Sequence, residues 1–489
     1  MLFFAAVAAF ASVAAAEPAN PFAPWGTHLA YGNDPTTSMS VMWSTRRTPD
    51  AAAVVDATLV ETGATTRFAA TSVIYSDANN SQTIHKAFMT GLAAGGLYTY
   101  VVGDGSAGNS SATFSFALHP VDGGAWGAGR SHPVLTIYGD MGVAVNSHKT
   151  LPLLYADARS GAMDVVLHVG DIAYDLQSNN GASGDAFVTE VEPFAANLPV
   201  HYCPGNHEDW EDFGQYRARF DLMPGGAEVR KYSSCFHSFN VGLVHVIMFS
   251  SEAFFNVGPH SLLMLPDQFA FVEADLKSVD RSVTPWVVSM AHQPMYCSPN
   301  DDDDDCHSLL SLMRDGVLGE FGFEKLINTY GVEMHFGAHE HSYERNVPVY
   351  QYDFDASKMG PEAYVDFNRT VHILSGAAGC PENQDGWQEK GNPFSVVRIN
   401  DYGYGRLSPV NFTHMLWEYV DDGNATVLDS VWLVKHSHGP FLAPAAEEPA
   451  EALAARRAHA LEAAAAAIRE AGGRMTPAAA RKLNGERRE

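Results

Sequence analysis

Residues of types that can bind metal ions follow directly after apolar runs at five places along the chain. Asp171 and Tyr174 lie in the segment 170–175, directly after the run 165–169. The same arrangement recurs at four other places, which carry Asp140, Asn206 with His207, His292, and His339 with His341. Carboxylate, phenol, amide and imidazole groups together offer hard oxygen and borderline nitrogen ligands. These residue types therefore point to metal-assisted chemistry.

Each place alone has a simpler explanation. A lone Asp after a strand usually caps a helix or a turn, and a lone His is usually a satisfied core or surface residue. Together, the metal-capable side chains are enough for two ions, with Asp171 bridging them: Asp140, Asp171, Tyr174, Asn206, His292, His339 and His341. Two ions about 3.5 to 4 Å apart activate water and neutralise both oxygens of an in-line displacement at phosphorus. The constellation thus predicts phosphoryl transfer.

The elements that position these residues begin near residue 133, where apolar runs start to alternate with helical stretches. This rhythm predicts α/β layers, and ligands in open α/β sheets bind beyond the carboxyl ends of the strands. The predicted strands are 134–138, 165–169, 243–249, 286–290, 332–336 and 371–374. A helix is expected over 266–279, where Phe269, Val272, Leu276 and Val279 share one face, and another within 308–330.

The part before residue 121 has a different pattern. Short alternating segments at 40–43, 54–60, 84–89, 97–102 and 113–116 predict a small all-β sandwich. Leu92 with Tyr98 resembles the tyrosine corner of fibronectin type III domains, although Ala94 and Gly96 replace its usual Pro and Thr. This part carries no titratable cluster, which favours a packing or spacing role.

Four boundaries follow from these patterns. We expect a signal peptide over 1–16, the β-sandwich over 17–120, a Gly-rich linker over 121–131 and the catalytic domain over 132–440. The remaining Ala-rich tail, 441–489, is expected to be partly helical or disordered. A helix over 451–471 would have only a thin apolar stripe and would stop at Gly472 and Gly473, which favours a frayed tail over a partner-binding helix.

Composition limits the partners. The formal net charge of -27 argues against binding to nucleic acid or to an anionic membrane, since both require a basic face. A small phosphorylated substrate stays compatible, because bound metal ions reverse the local charge. Nothing in the sequence indicates an oligomeric state.

An apolar leader and five glycosylation sequons, at Asn79, Asn109, Asn368, Asn411 and Asn424, predict a secreted protein or one of the secretory-pathway lumen. In that compartment Cys297 with Cys306 is the favoured disulfide and Cys203 with Cys235 the second choice, while Cys380 is expected to stay unpaired.

The order of the motifs resembles that of the metallophosphoesterases, and specifically of the purple acid phosphatases. The matching segments are Gly-Asp-x-Gly at Asp140, Gly-Asp-x-x-Tyr at Asp171, Gly-Asn-His-Glu at Asn206, a His at His292, and His-x-His at His339. The phrase 338–345 is similar to the animal and protist branch. The resemblance implies a fibronectin type III-like sandwich followed by an α/β metallophosphoesterase domain with two mixed sheets flanked by helices.

The same resemblance assigns the ligands. Asp140, Tyr174 and His341 would hold Fe(III), Asp171 would bridge, and Asn206, His292 and His339 would hold a divalent ion, namely zinc, iron or manganese. A phenolate is expected only beside a strongly charged ion, because free tyrosine loses its proton near pH 10. Ser289 and the order Gly337-Ala338 depart from the usual family pattern without removing a ligand.

The resemblance implies an acid phosphatase in which a metal-bound hydroxide attacks phosphate monoesters in line. His207 matches a substrate-contacting histidine, and His307 is the candidate for a second one, although an exposed loop histidine explains it equally well. The alternatives are a phosphodiesterase or nucleotide pyrophosphatase of the same superfamily, or a non-catalytic surface glycoprotein with a degenerate metal centre.

Overall fold

A computed structural model describes the chain from residue 20 to residue 483 with internal gaps. The described ranges are 20–77, 80–106, 108–121, 123–223, 231–232, 234–300, 310–355, 362–387, 391–443, 449–476, 479–480 and 483. The predicted signal peptide and His307, Cys306 and Asn79 lie outside them.

The N-terminal part is built from antiparallel strands, as its short alternating segments predict. Its seven-stranded sheet has the order β1-β2-β5-β4-β3-β6-β7. The strands are β1 Trp25–Tyr31, β2 Met39–Thr45, β3 Val54–Leu59, β4 Thr65–Asp77, β5 Asn80–Met89, β6 Leu97–Gly103 and β7 Phe114–Ala117.

The long strand β4 joins the two halves of this sheet. Its first part, 65–69, pairs with β3, and its second part, 70–77, pairs with β5. Apolar side chains from both halves, including Trp43 of β2 and Tyr100 of β6, belong to one buried cluster. The Tyr98 hydroxyl accepts a hydrogen bond from the Ala93 amide at 2.7 Å, as a tyrosine corner requires.

The rest of the chain forms two mixed seven-stranded sheets, which confirms the predicted fold class. The first has the order β10-β9-β8-β25-β26-β27-β21 and the second the order β11-β12-β13-β17-β22-β18-β24. Strands of the first sheet are β8 Leu135–Tyr138, β9 Val165–Val169, β10 Val200–Cys203, β21 Ala363–Val365, β25 Gly403–Ser408, β26 His414–Asp421 and β27 Val427–Val434. Those of the second are β11 His237–Val241, β12 Val244–Met248, β13 Trp286–Met290, β17 Met334–Gly337, β18 Tyr343–Asn346, β22 Val371–Ser375 and β24 Ser395–Ile399.

Parallel pairing brings the ends of neighbouring strands to one edge. In the first sheet β8, β9 and β10 run parallel, and in the second sheet β12, β13, β17 and β22 do so. Short two-stranded pairs complete the strands: β14 Pro299–Asn300 with β23 Gly386–Trp387, β15 Gly316–Val317 with β16 Glu320–Phe321, and β19 Val349–Tyr350 with β20 Asp353–Phe354.

Helices connect and cover the sheets. They are α1 Ser147–Ser160, α2 Ala182–Ala195, α3 Trp210–Arg219, α4 Leu265–Ser278, α5 Leu310–Asp315, α6 Phe323–Thr329 and α7 Ala450–Glu470. In α4 the predicted stripe of Phe269, Val272 and Leu276 is buried, and Val279 lies just past the helix end. The single helix expected within 308–330 is instead two, α5 and α6, separated by β15 and β16.

Helix α7 lies in the segment expected to be a frayed tail, yet it packs on the body of the protein. Its buried residues are Ala460, Ala464, Ala467 and Ile468. Small alanines allow a close approach to β15 and β16, so the stripe needs few large side chains. No helix of the described residues combines the length and the apolar character needed to cross a bilayer.

The cysteine predictions have different outcomes. Cys297 is disulfide-bonded, and its predicted partner lies outside the described residues. Cys203 and Cys235 are buried free thiols, so the second predicted bridge is wrong. Both thiols are buried in the core, and the Cys203 thiol is directed at the His168 carbonyl. Cys380 is a free buried thiol, as expected.

Candidate metal centre

The predicted ligands meet where the two mixed sheets face each other. Asp140, Asp171 and Asn206 follow β8, β9 and β10 of the first sheet. His292 follows β13 and His339 follows β17 of the second sheet, with His341 just before β18. Because the strands end in parallel at a shared edge, side chains that are distant in sequence become neighbours.

Glycines before the ligands permit this close approach. A Cβ atom on Gly170 would overlap the His292 imidazole, and one on Gly205 would overlap the Asp171 carboxylate. Asp171 itself has a φ of 48°, in the left-handed region that non-glycine residues rarely adopt. The same region holds Asp140, Tyr174 and His339. Such strain costs about 1 to 3 kcal/mol per residue and concentrates at functional sites.

Three donor atoms form a first triangle. The Tyr174 hydroxyl lies 2.8 Å from His341 Nε2 and 3.2 Å from Asp140 Oδ1, and these last two atoms are 3.6 Å apart. Ligands bound at about 2.0 to 2.2 Å around one ion are separated by about 3 to 3.5 Å. The triangle, which we call the tyrosine triangle, therefore has the dimensions of half of an ion's coordination shell.

A second triangle lies beside it. Asn206 Oδ1 is 3.0 Å from His292 Nε2 and 2.8 Å from His339 Nδ1, and the two nitrogens are 3.2 Å apart. The other nitrogen of His292, Nδ1, donates to the Val169 carbonyl at 2.9 Å. Nε2 therefore faces the Asn206 oxygen, and a proton on Nε2 or a metal ion between the two atoms makes that contact favourable. We call this set the histidine triangle.

Asp171 contacts the histidine triangle and influences the tyrosine triangle electrostatically. Its Oδ2 is 3.2 Å from His292 Nε2, and its Oδ1 accepts a hydrogen bond from the His207 amide at 3.0 Å. Ligand atoms of Asp171, His292 and His339 all lie within 4.8 Å of one another. Burial raises the pKa of Asp140 and of Tyr174, and the negative charge of Asp171 acts in the same direction. Asp171 therefore contacts one triangle and acts on the other through its charge.

The electrostatics of the site favour cations. Burial alone would lower the pKa of His292, but the Asp171 carboxylate raises it to about 10. Conversely, burial alone would raise the pKa of Asp171, yet His292 and His207 hold it below its usual range. Burial raises the pKa of Tyr174, and the Asp140 carboxylate raises it further. A phenolate at Tyr174 therefore requires a strongly charged ion beside it, and the donor set fits one.

Glu208 supports the ligands, a role that the sequence did not reveal. Its buried carboxylate accepts hydrogen bonds from the backbone amides of Asp171, Ile172 and Gly205, each at 2.9 Å. These bonds tie the turn after β9 to the turn after β10. The only signal in the sequence was its place directly after His207 in the Gly-Asn-His-Glu segment.

His207 lies at the mouth of the centre. Its Nδ1 is 3.0 Å from Asp175 Oδ1, and its Nε2 is 3.8 Å from Glu382 Oε2. Glu382 also approaches His341 Nε2, at 4.0 Å. Because Glu382 lies in a loop after β22 without any motif, the sequence did not identify it. His307, the second predicted substrate contact, lies outside the described residues.

Both departures from the usual family pattern have local explanations. The Ser289 hydroxyl is 2.8 Å from His335 Nδ1 on the neighbouring strand, so it satisfies a buried imidazole. Ala338 packs its methyl group where a Cβ atom on Gly139 would stand, so Gly139 leaves room for it.

Three family models match successive parts of the chain. Residues 24–118 match the family model "Purple acid Phosphatase, N-terminal domain", residues 133–343 match "Calcineurin-like phosphoesterase", and residues 369–430 match "Iron/zinc purple acid phosphatase-like protein C".

Curated relatives extend over most of the chain. Acid phosphatase type 7 of Homo sapiens is 37% identical over 427 residues, which cover 85% of this chain and 92% of the relative. The Danio rerio protein of the same name is 40% identical over 367 residues, which cover 73% and 79%. A solved structure, purple acid phosphatase PPD1 from yellow lupin seeds, aligns with a TM-score of 0.73 at 22% identity over 88% of this chain and 79% of that one. At that identity the structural match establishes the fold alone.

Proposed function

The chain belongs to the purple acid phosphatase family, and from that membership we propose that it hydrolyses phosphate monoesters at a dinuclear metal centre. The observation that carries the proposal is the pair of donor triangles with Asp171 beside them. Each triangle brings ligand atoms of three residues from separate segments to within 3.6 Å of one another, which is the spacing that one bound ion needs.

The chemistry of the donors suggests how two ions would be distributed. We assign the tyrosine triangle to Fe(III), since phenolate and carboxylate are hard oxygen ligands suited to a trivalent ion. The histidine triangle suits a divalent ion, zinc, iron or manganese. When bound, such a pair supplies an activated water and positive charge for the attacking and leaving oxygens.

The chain's own residues around the centre complete the proposed reaction. Burial alone would lower the pKa of His207, but Asp171 and Asp175 raise it, so its imidazole is protonated at acid pH and can donate to a phosphate oxygen. Glu382, which faces His207 at the open side, is placed to act as the general acid toward the leaving alcohol. The backbone amides bound by Glu208 keep the Asp171 carboxylate oriented throughout.

We propose further that the protein works in the secretory pathway or outside the cell. The apolar leader and the sequons support this location, and the sequon residues Asn368, Asn411 and Asn424 are exposed. The acidic net charge argues against nucleic acid as a partner and stays compatible with a small phosphorylated substrate.

One experiment tests the function directly. The purified protein should contain close to one iron and one divalent ion per chain, absorb visible light, and release phosphate from p-nitrophenyl phosphate at acid pH. The bis(p-nitrophenyl) ester is the control, since a phosphodiesterase would prefer it. A protein without metal and without turnover on either ester would instead support a surface glycoprotein.

A further inference from the structure

A carboxylate with no predicted role is buried behind the histidine triangle. Glu252 is fully buried in the short helical turn Ser251–Phe254. Its Oε1 accepts a hydrogen bond from Gln293 Nε2 at 3.2 Å, and the neighbouring Ser251 hydroxyl accepts one from the Gln293 amide at 2.9 Å. Gln293 directly follows His292, so this turn anchors the segment that carries a predicted ligand.

The cation that compensates Glu252 comes from the C-terminal segment. Arg474 Nη2 is 3.5 Å from Glu252 Oε2, and its Nη1 is 3.0 Å from Asp209 Oδ2. Asp209 directly follows the turn Asn206–Glu208, which carries Asn206, a second member of the histidine triangle. One guanidinium therefore connects the segment of His292 with the segment of Asn206.

The position of Arg474 is fixed by the backbone around it. Helix α7 ends at Glu470, and Gly472 and Gly473 then turn the chain with φ values of 91° and 115°, which favour glycine. Arg474 pairs as an isolated β-bridge with Asn256, and the Met475 amide donates to the Phe255 carbonyl at 2.7 Å. The C-terminal segment is thus hydrogen-bonded to residues 255 and 256, which directly follow the Glu252 turn.

The two ion pairs of Arg474 contribute differently to stability. Its side chain is 45% exposed, and a partly exposed pair such as that with Asp209 stabilises by about 0 to 1 kcal/mol. Glu252 is different, because a fully buried carboxylate that loses its counter-charge is strongly destabilised. Removing Arg474 is therefore expected to disturb the Glu252 turn, and through Gln293 the place of His292.

We propose that Arg474 is a positioning residue for the divalent half of the metal centre, supplied by a C-terminal segment that lies outside the α/β sheets. By neutralising Glu252 and holding Asp209, it keeps His292 and Asn206 at the spacing that one ion needs. The tyrosine triangle makes no such contact with Arg474 in the described residues, so the effect is confined to one ion. The inference rests on the proposed dinuclear centre.

The test is the release of the divalent ion from the full-length Arg474→Gln variant. Protein loaded with iron and zinc is exposed to a chelator, and zinc loss and the visible band are followed together. Supporting shells of metal sites typically contribute 10- to 100-fold in affinity, so we expect zinc to leave at least about tenfold faster while the band keeps its intensity. Equal zinc retention in the variant and the wild type would overturn the inference.

Matched variants separate positioning from general stability. Arg456→Gln removes the pair that the same C-terminal segment makes with Glu320 Oε1 of β16 at 2.7 Å, and should leave zinc release unchanged. Adding Glu252→Gln to Arg474→Gln removes the uncompensated charge and should restore zinc retention in part. If both the Arg456 and the Arg474 variants lost zinc equally, the tail would be a general clamp and the proposed role of Arg474 would be refuted.

A second substitution covers the case in which Arg474→Gln does not fold. Arg474→Lys keeps the charge but cannot span both carboxylates, so zinc should still leave faster than from the wild type; a wild-type rate would contradict the inference. If the wild-type protein binds iron and zinc and the Arg474 variant keeps its zinc equally well, this inference alone is overturned. A wild-type protein that binds no divalent ion overturns the proposed function, and the inference with it.

Discussion

The Tyr174 hydroxyl lies 2.8 Å from His341 Nε2, although 167 residues separate them in the chain. Burial and the Asp140 carboxylate raise the pKa of Tyr174, so the phenol keeps its proton unless a strongly charged ion lies beside it. This contact distinguishes a purple acid phosphatase, whose tyrosine would bind Fe(III), from metallophosphoesterases in general.

Replacing Tyr174 by Phe should abolish the visible absorption band. The substitution removes one corner of the tyrosine triangle, and iron affinity should fall at least about tenfold. The absorption spectrum and the iron content per chain measure both effects. Tyr402→Phe is the matched control, since the Tyr402 hydroxyl bonds to Asn146 outside both triangles. A Tyr174→Phe variant that kept its band would contradict the iron assignment.

The dependence of activity on pH should follow His207. Although burial opposes it, Asp171 and Asp175 raise the pKa of His207, so the protonated form persists above pH 6.5 and is lost as the pH rises further. We expect kcat/KM to fall over that range. Removing the charge-assisted bond in His207→Gln should raise KM roughly tenfold to a hundredfold, as expected for about 1.5 to 3 kcal/mol.

Asp175→Asn provides the internal check on this profile. It removes a partner that raises the pKa of His207, so the falling limb should move to lower pH while His207 itself stays in place. A profile that did not move in this variant would show that another group controls the limb.

Glu382 should affect substrates according to their leaving groups. An alkyl alcohol needs a proton as it departs, whereas p-nitrophenolate does not, so Glu382→Gln should lower kcat for an alkyl phosphate by at least about a hundredfold and hardly change that for p-nitrophenyl phosphate. Steady-state rates on the two esters measure the difference. An equal loss on both would mean that Glu382 contributes to binding rather than to proton transfer.

Acid sensitivity of the fold should depend on buried histidines such as His168. Burial lowers the pKa of His168 to about 3, and neither ring nitrogen has a hydrogen-bond partner in the described part of the chain. The unfolded chain takes up this proton below about pH 6.5 and the folded chain does not, so stability is lost as pH falls from 6.5 toward 3.

His168→Leu should remove this contribution. Between pH 7 and pH 5 the free energy of unfolding should decrease by about 2 kcal/mol less than in the wild type, as measured by urea unfolding. His436→Gln is the control, because that side chain is 68% exposed. An unchanged pH dependence in the Leu variant would assign the acid sensitivity to other groups.

Buried parallel strands were predictable because their apolar runs are continuous. Strands β9 and β13 were predicted to the residue, since every side chain in them is buried. The strands β26 and β27 were missed because antiparallel strands with one partly exposed face carry a weaker pattern, as the alternating burial of both strands shows.

The candidate ligands could be named from sequence because most of them follow a strand end within a recognisable motif. Their supporting partners could not. Glu252 pairs with Arg474 across 222 residues, and Glu382 approaches His207 from a loop without a pattern. Such contacts depend on how separate segments pack, which no local spacing records.

The distribution of donors between the two sheets has a consequence for biosynthesis. Each triangle draws on both sheets, and the tyrosine triangle is complete only with His341. A nascent chain that has emerged only as far as β13 holds Asp140, Tyr174 and Asn206 without their imidazole partners. The ions can therefore enter their final shells only after residues past 341 have left the ribosome, so metal loading must follow synthesis of more than two thirds of the chain.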